Sequence, residues 1–298
     1  MPSLPPTERR NPTTLTIDQL GTSALLELIN DQDATVPAAV RAALPQLAEL
    51  VDTALDVLRA GRRIHYYGAG TSGRIALGDA VELGPTYGVG PETVVAHLAG
   101  GPGARGTARE DAEDHAPDEH PDDTPVAGDL VIGVTASGRT PYVAAALRAA
   151  RAVGAATALL SGDPDAPLAP LADLHIALDT GPEVVTGSTR MKAGTAQKLA
   201  LNAFSTALMV RSGRTWSNLM IAASARNAKL RERAVRTLVT ACQVPPATAA
   251  ATLAACADET PTALVALVAG VTPAAARAAL AAHHGHPWAA VRALNEQP

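Results

Sequence analysis

Two stretches of this chain repeat one plan, a short apolar run, a polar glycine-containing turn and a helix, and that repetition restricts the fold more than any other feature. In "RRIHYYGAGTSGRIALGDAVELG" a β-type run, Ile64 to Tyr67, passes through a Gly/Ser/Thr turn into a helix. "GDLVIGVTASGRTPYVAAALRAARAVGA" does the same, with a strand from Leu130 to Val134, a polar turn from Thr135 to Thr140 and a helix through Arg151. "TALLSGDPDAP" and "DLHIALDTGPEVVTGSTRMKAGTAQKLALNAFSTALMV" add two strands, the second opening through "GSTR" onto a long helix. Short apolar strands alternating with helices predict an α/β fold, a parallel sheet covered on both faces. In such sheets ligands sit outside the carboxyl ends of the strands, where these three turns gather.

The flanking segments are helical. Leu25, Leu28 and Ile29 give the i, i+3, i+4 stripe of an amphipathic helix, and Leu47, Leu50, Val51, Leu55 and Leu58 repeat it between Pro45 and a stop at Gly61. Residues 1–15 read as a mobile N-terminal arm, and residues 16–232 as the sheet domain with its N-terminal helices. Residues 233–298 read as a small helical domain, with breaks at Pro245–Pro246 and Gly270–Pro273.

Composition removes several function classes. Hydrophobic residues make up 47% and charged residues 18%, too apolar for general disorder. Aromatics are 2% and the net charge is −5, so stacking platforms and a basic track for nucleic acid are both missing. No apolar run approaches the ~20 residues of a membrane helix, and Met1 to Pro12 has no apolar signal region. Cys242 and Cys256 lack metal-ligand spacing and read as reduced structural thiols, so a cytoplasmic protein is expected. "HHGH" (His283 to His286) has no carboxylate or thiol partner nearby and reads as a solvated turn. No metal motif and no cofactor is expected. His65 reads as a core histidine, and Trp216 and Trp288 as isolated packing residues.

The turns carry the functional signal. "GAGTSGR" (Gly68 to Arg74) has neither the third glycine of a dinucleotide fingerprint nor the lysine of a P-loop. It offers backbone N–H groups with the Thr71 and Ser72 hydroxyls at a helix N-terminus, an anion site without a fixed cation. "TASGRTP" has the same chemistry through Thr135, Ser137 and Thr140, and "GSTR" adds Ser188, Thr189 and Arg190. One such turn is ordinary helix capping. Three at strand ends of one parallel sheet point to a small phosphorylated ligand. Arg74 and Arg139 read as surface ion pairs, and Lys192 and Lys198 as helix-surface or structural residues.

"TERRNP", "GAGTSGR", "ASGRTPY" and above all "GPEVVTGSTRMKAGTAQKLALN" resemble the bacterial N-acetylmuramic acid 6-phosphate etherases, from about Thr7 to the end of the chain. The resemblance implies the sugar-isomerase (SIS) fold plus a helical tail. It also implies that Ser72, Ser137 and Thr140 lie nearest the phosphate of a sugar-phosphate substrate. The family pattern Asp-Ala-x-Glu stands here as "DAVELGPTYG" and puts one catalytic carboxyl on Glu82, with Leu83-Gly84 where the family has Cys-Pro. The Glu-x-x-Glu-Asp pattern stands as "EDAED" and puts the other on Glu113, flanked by Glu110 and Asp114.

The implied activity is cleavage of the lactyl ether, giving N-acetylglucosamine 6-phosphate and D-lactate in cell-wall sugar recycling, with Glu82 as acid and Glu113 as base. Two other readings belong to the same fold, a sugar-phosphate isomerase and a non-catalytic sugar-phosphate sensor. The paired glutamates disfavour both. SIS folds usually build sites between protomers, so a homodimer is expected by analogy.

Overall fold

A computed structural model describes residues 4–117, 123–222 and 228–296. The chain forms two compact units, Met1–Ala80 with Pro91–Ser205 and Val81–Gly90 with Thr206–Pro298.

The first unit opens with helices α1 (Thr22–Asp33), α2 (Val36–Ala42) and α3 (Leu44–Arg59). Strand β1 (Ile64–Gly68) leads into α4 (Gly70–Tyr87), then come β2 (Val94–Leu98), β3 (Leu130–Thr135) and α5 (Pro141–Val153). Strands β4 (Ala156–Ser161) and β5 (Leu174–Ala177) precede α6 (Lys192–Arg211). The five strands are parallel in the order β2-β1-β3-β4-β5. After β1 the chain adds β2 on one side and then crosses to add β3 on the other. The β1/β3 boundary is therefore the point where strand order reverses, and the crevice that binds ligands in open α/β sheets lies there.

Both central strands are buried along their whole length, which is why they read as continuous apolar runs. Alternate residues divide between the two faces. Tyr67, Val131 and Leu159 pack under Tyr142, Val143 and Leu147 of α5. On the other face the Tyr66 ring meets Phe204 of α6 edge-on, with centroids 6.5 Å apart. Asp79 of α4 ties this layer together. It is 7% exposed, and its carboxylate accepts from Tyr66 Oη at 3.1 Å and Ser205 Oγ at 2.9 Å. The acid of "DAVE" is thus a buried anchor for the helix that carries Glu82. Burial pushes its pKa up, and the two hydroxyl bonds pull against that shift.

Several expectations change. The segment read as a mobile arm packs down over residues 5–14. Pro5, Pro6, Thr7, Asn11 and Thr14 are buried, Thr7 O accepts from Gly187 N at 3.1 Å, and Thr14 Oγ1 donates to Val184 O at 2.9 Å. The second unit gathers α7 (Ala228–Cys242), α8 (Pro246–Ala255), α9 (Thr260–Ala269), α10 (Pro273–Ala282) and α11 (Pro287–Asn295). It also takes in residues 206–232 and 81–90, so its limits differ from a boundary at 233. Its core includes Leu238, Leu253, Cys256, Leu264, Val265 and Leu280. Trp216 and Trp288 are not isolated but stacked, with centroids 3.9 Å apart and planes 8° from parallel. Among the described residues no single helix is long and apolar enough to cross a membrane.

Candidate functional site

The register of β1 on β3 sets Gly68 beside Val134, so the turns that follow these two strands emerge at one level. The first turn is tight. A Cβ on Gly73 would lie 2.3 Å from Gly68 O and 2.5 Å from Leu98 Cδ1, so only glycine lets α4 start directly on the strand end. Ser72 is 8% exposed and Thr71 half-buried in the first turn of α4, where helix N–H groups lack intrahelical partners. In the second turn, Gly138 has φ +67 and abuts Ala166. Thr140 precedes α5 at its N-cap position without a side-chain cap bond, and its Oγ1 lies 2.8 Å from Thr135 Oγ1, while Ser137 Oγ accepts from Arg139 N at 3.2 Å.

The third turn reaches the first through Gly194, where a Cβ would stand 3.4 Å from Thr71 Cγ2. Ser188 and Thr189 are half-buried and Arg190 is exposed. Thr7 links this turn to the end of β4. Its carbonyl takes the Gly187 N–H, and its methyl lies 3.8 Å from where a Gly162 Cβ would be.

The start of α6 differs from the expected anion site. Glu183, 0% exposed, accepts from Lys192 N and Ala193 N at 2.9 Å each, so a carboxylate of the chain itself already caps that helix. Burial pushes the Glu183 carboxyl up, opposed by these two N–H bonds and by Lys192. Of the two readings for Lys192, helix surface or structural, the second holds, since it is 3% exposed. Burial lowers its pKa, against Glu183, Asp33 and Asp179, which raise it. Arg139 does form an ion pair, at 3.7 Å, but with Asp163, a carboxylate that is itself buried. Arg74 instead donates to Ala104 O at 3.3 Å and ties the first turn to the segment after β2.

That segment borders a cavity of ≈ 580 Å³ lined by His97, Arg105, Arg109, Asp111, His115 and Tyr142, among others. A string of buried polar groups runs beneath it. Asp129 accepts from Arg63 N and Val126 N at 2.9 Å each, and its Oδ2 lies 3.3 Å from His65 Nε2. His65 Nδ1 in turn lies 3.0 Å from His97 Nε2. With the carboxylate accepting from His65 Nε2–H, His65 Nδ1 accepts from His97 Nε2–H, which orients both rings. Tyr67 stacks on the His97 ring with centroids 4.2 Å apart. Burial, with His65 and Arg63 adding to it, lowers the His97 pKa to about 3. Burial likewise lowers His65, against the pull of Asp129. Sequence reasoning places His65 in the core but misses its partners, which lie 32 and 64 residues away.

Family comparisons agree with this architecture. The SIS domain family matches residues 120–207, and the glucokinase regulatory protein N-terminal SIS domain family matches residues 46–151. The N-acetylmuramic acid 6-phosphate etherase of Thermobifida fusca is 57% identical over 237 residues, 79% of this chain and 78% of that protein. That of Yersinia pestis is 47% identical over 287 residues, 95% of this chain and 97% of that protein. The chain belongs to the N-acetylmuramic acid 6-phosphate etherase family. A phosphoheptose isomerase structure from Francisella tularensis is 14% identical with a TM-score of 0.45, over 63% of this chain and 98% of that one.

The two carboxyls that the etherase pattern marks sit differently. Glu82 is exposed on α4, three residues beyond the anchored Asp79, and the following Leu83 is buried at 4%. The helix runs on through Gly84 and Pro85 to Tyr87, so the Leu83-Gly84 departure from the etherase pattern does not break it. Glu82 belongs to the second compact unit. Glu113 is exposed in a short 3-10 turn, Glu110–Asp114, in the first unit, and the neighbours Asp111, Ala112 and His115 line the cavity.

Proposed function

We propose that this chain is a carbon–oxygen lyase that cleaves the D-lactyl ether of N-acetylmuramic acid 6-phosphate to N-acetylglucosamine 6-phosphate and D-lactate. The observation that carries this reading is 47% identity across 95% of the chain to a protein named for that activity. The gathering of Ser/Thr turns at the β1/β3 switch point supports a sugar phosphate as ligand.

In this reading Thr71, Ser72, Ser137 and Thr140 hold the phosphate with first-turn N–H groups, and Ser188, Thr189 and Arg190 close the same end of the sheet. Opening of the sugar ring exposes an aldehyde and acidifies the proton on the adjacent carbon. Glu113 as carboxylate removes that proton, and the ether oxygen leaves the third carbon with a proton from Glu82. Water then adds to the unsaturated aldehyde, its hydroxyl to the third carbon and its proton to the second. The two carboxyls must start in opposite protonation states, since one gives a proton and the other takes one.

The enzyme works as a cytoplasmic homodimer in cell-wall amino-sugar recycling. Helix α1 supports a dimer, because none of its residues is buried and Leu26 is 62% exposed.

The experiment is D-lactate release from N-acetylmuramic acid 6-phosphate by the wild type and by Glu82→Gln. Wild-type release that vanishes in the variant, with substrate binding retained, is expected; undiminished turnover would remove Glu82 from the mechanism. In Glu113→Gln the proton beside the aldehyde should stop exchanging with deuterated solvent, and persisting exchange assigns the base elsewhere.

A further inference from the structure

A substrate with a phosphate at one end and a lactyl carboxylate on its third carbon needs two anion seats, because like charges repel and each needs its own donors. The Ser/Thr turns supply one. Of the arginines near them, Arg74 is committed to Ala104 O and Arg139 to Asp163. Arg105 and Arg109 are different. Among the described residues neither guanidinium makes a hydrogen bond or an ion pair, the bonds of both residues being those of their backbones, and both line the ≈ 580 Å³ cavity.

Arg109 is also placed rather than adrift. It lies against the glycines of the turn after β2, where a Cβ on Gly103 would fall 2.7 Å from its Nη2 and one on Gly100 3.2 Å from its Cδ. A side chain at Gly103 would make the guanidinium shift, and one at Gly100 would crowd its stem together with Ala104 and Ala112. The turn itself is fixed to the first phosphate loop by the Arg74 bond to Ala104 O and by Leu98 against Gly73.

We infer that the cavity beside β2 seats the lactyl arm of the substrate, with Arg109 as anchor for its carboxylate and Arg105 as second donor. Arginine presents a planar fork of donors that matches a carboxylate. Asp111 and Asp123 also line the cavity, so the anion is held at the guanidinium and not by the charge of the cavity as a whole. His97, oriented through His65 and Asp129, forms part of the wall. The 3-10 turn that carries Glu113 supplies Asp111 and Ala112 to the same wall, which brings the departing lactate and the family's second carboxyl to one place.

This inference rests on the etherase reading, and its test separates the two. Wild-type enzyme is first shown to release D-lactate; if it does not, the etherase reading fails before the subsite is tried. Inhibition constants for the two products, D-lactate and N-acetylglucosamine 6-phosphate, are then measured for wild type, Arg109→Met, Arg105→Met and Arg109→Lys. Loss of a charge-assisted pair should weaken D-lactate about tenfold or more in Arg109→Met, less in Arg105→Met, and leave N-acetylglucosamine 6-phosphate within about twofold. Arg109→Lys keeps the charge without the fork and should fall between, which preserves the test if the methionine variant does not fold. Unchanged D-lactate inhibition overturns the proposal, and so does equal weakening of both products, which would assign the arginines to the phosphate or to the fold.

Discussion

Replacing Asp79 by alanine isolates the group that fixes α4. Its carboxylate is 7% exposed and accepts from two hydroxyls whose residues are themselves buried, Tyr66 at 1% and Ser205 at 4%. Alanine leaves both hydroxyls without an acceptor, at about 1–3 kcal/mol each, and relieves part of the cost of burying a carboxylate. The net loss should be about 3 kcal/mol, or about 5 °C in Tm for a chain of this size. The Asp79→Asn variant keeps an acceptor for one hydroxyl and turns a donor toward the other, so it should lose about 1 kcal/mol.

The pH dependence supplies a second readout. Because the folded pKa of Asp79 is raised, its contribution is fully present below the unfolded value and lost as pH rises through the folded one. The wild type should therefore gain on Asp79→Asn as pH falls from 7 toward 4. Urea or thermal unfolding by circular dichroism measures all three proteins. Equal stability of Asp79→Ala and wild type would refute the anchoring role, and a gap to Asp79→Asn that narrows on acidification would refute the sign.

Glu183→Ala removes the cap of α6 and strands two buried N–H groups, so a loss of about 2–4 kcal/mol is expected in the same unfolding assay. His97 should show ring resonances in NMR that titrate near 3, because burial holds the ring neutral. A pKa lowered in the folded state gives stability present above the unfolded value and lost as pH falls, so this contribution weakens from about pH 6.5 toward 3. Trp288→Ala should quench the tryptophan–tryptophan exciton signal in near-UV circular dichroism and destabilise by about 1–2 kcal/mol, since the ring is 53% exposed but stacked on Trp216.

The parts of the fold legible in the sequence are those where one local pattern decides. Strands β1, β3 and β4 are almost wholly buried, so they stand out as apolar runs ahead of Gly/Ser/Thr turns, and the Pro-marked helix starts of the C-terminal unit are equally plain. Strand β2 escapes such a reading because an edge strand buries only its ends, Val94 and Leu98, and leaves a weak pattern. Partners distant in sequence are not readable at all. Asp79 meets Ser205 across 126 positions, and the Thr14 hydroxyl meets Val184 across 170, which turns an apparently loose arm into packed structure. Of the candidate site, the turn residues are visible from chemistry. Both Glu82 and Glu113 take their roles from resemblance, but Glu82 also stands on the helix that starts at the first turn, whereas Glu113 lies in an acidic run where a glutamate has no local mark of function.

The most direct test of the etherase account is to run the reaction in ¹⁸O-labelled water and examine the released lactate by mass spectrometry. Elimination breaks the bond between the third sugar carbon and the ether oxygen, so D-lactate should keep its own oxygen and carry no label, while the sugar gains one labelled hydroxyl at that carbon. Lactate that carries the label would mean that water attacks the lactyl carbon, and a sugar phosphate rearranged without any lactate would mean an isomerase.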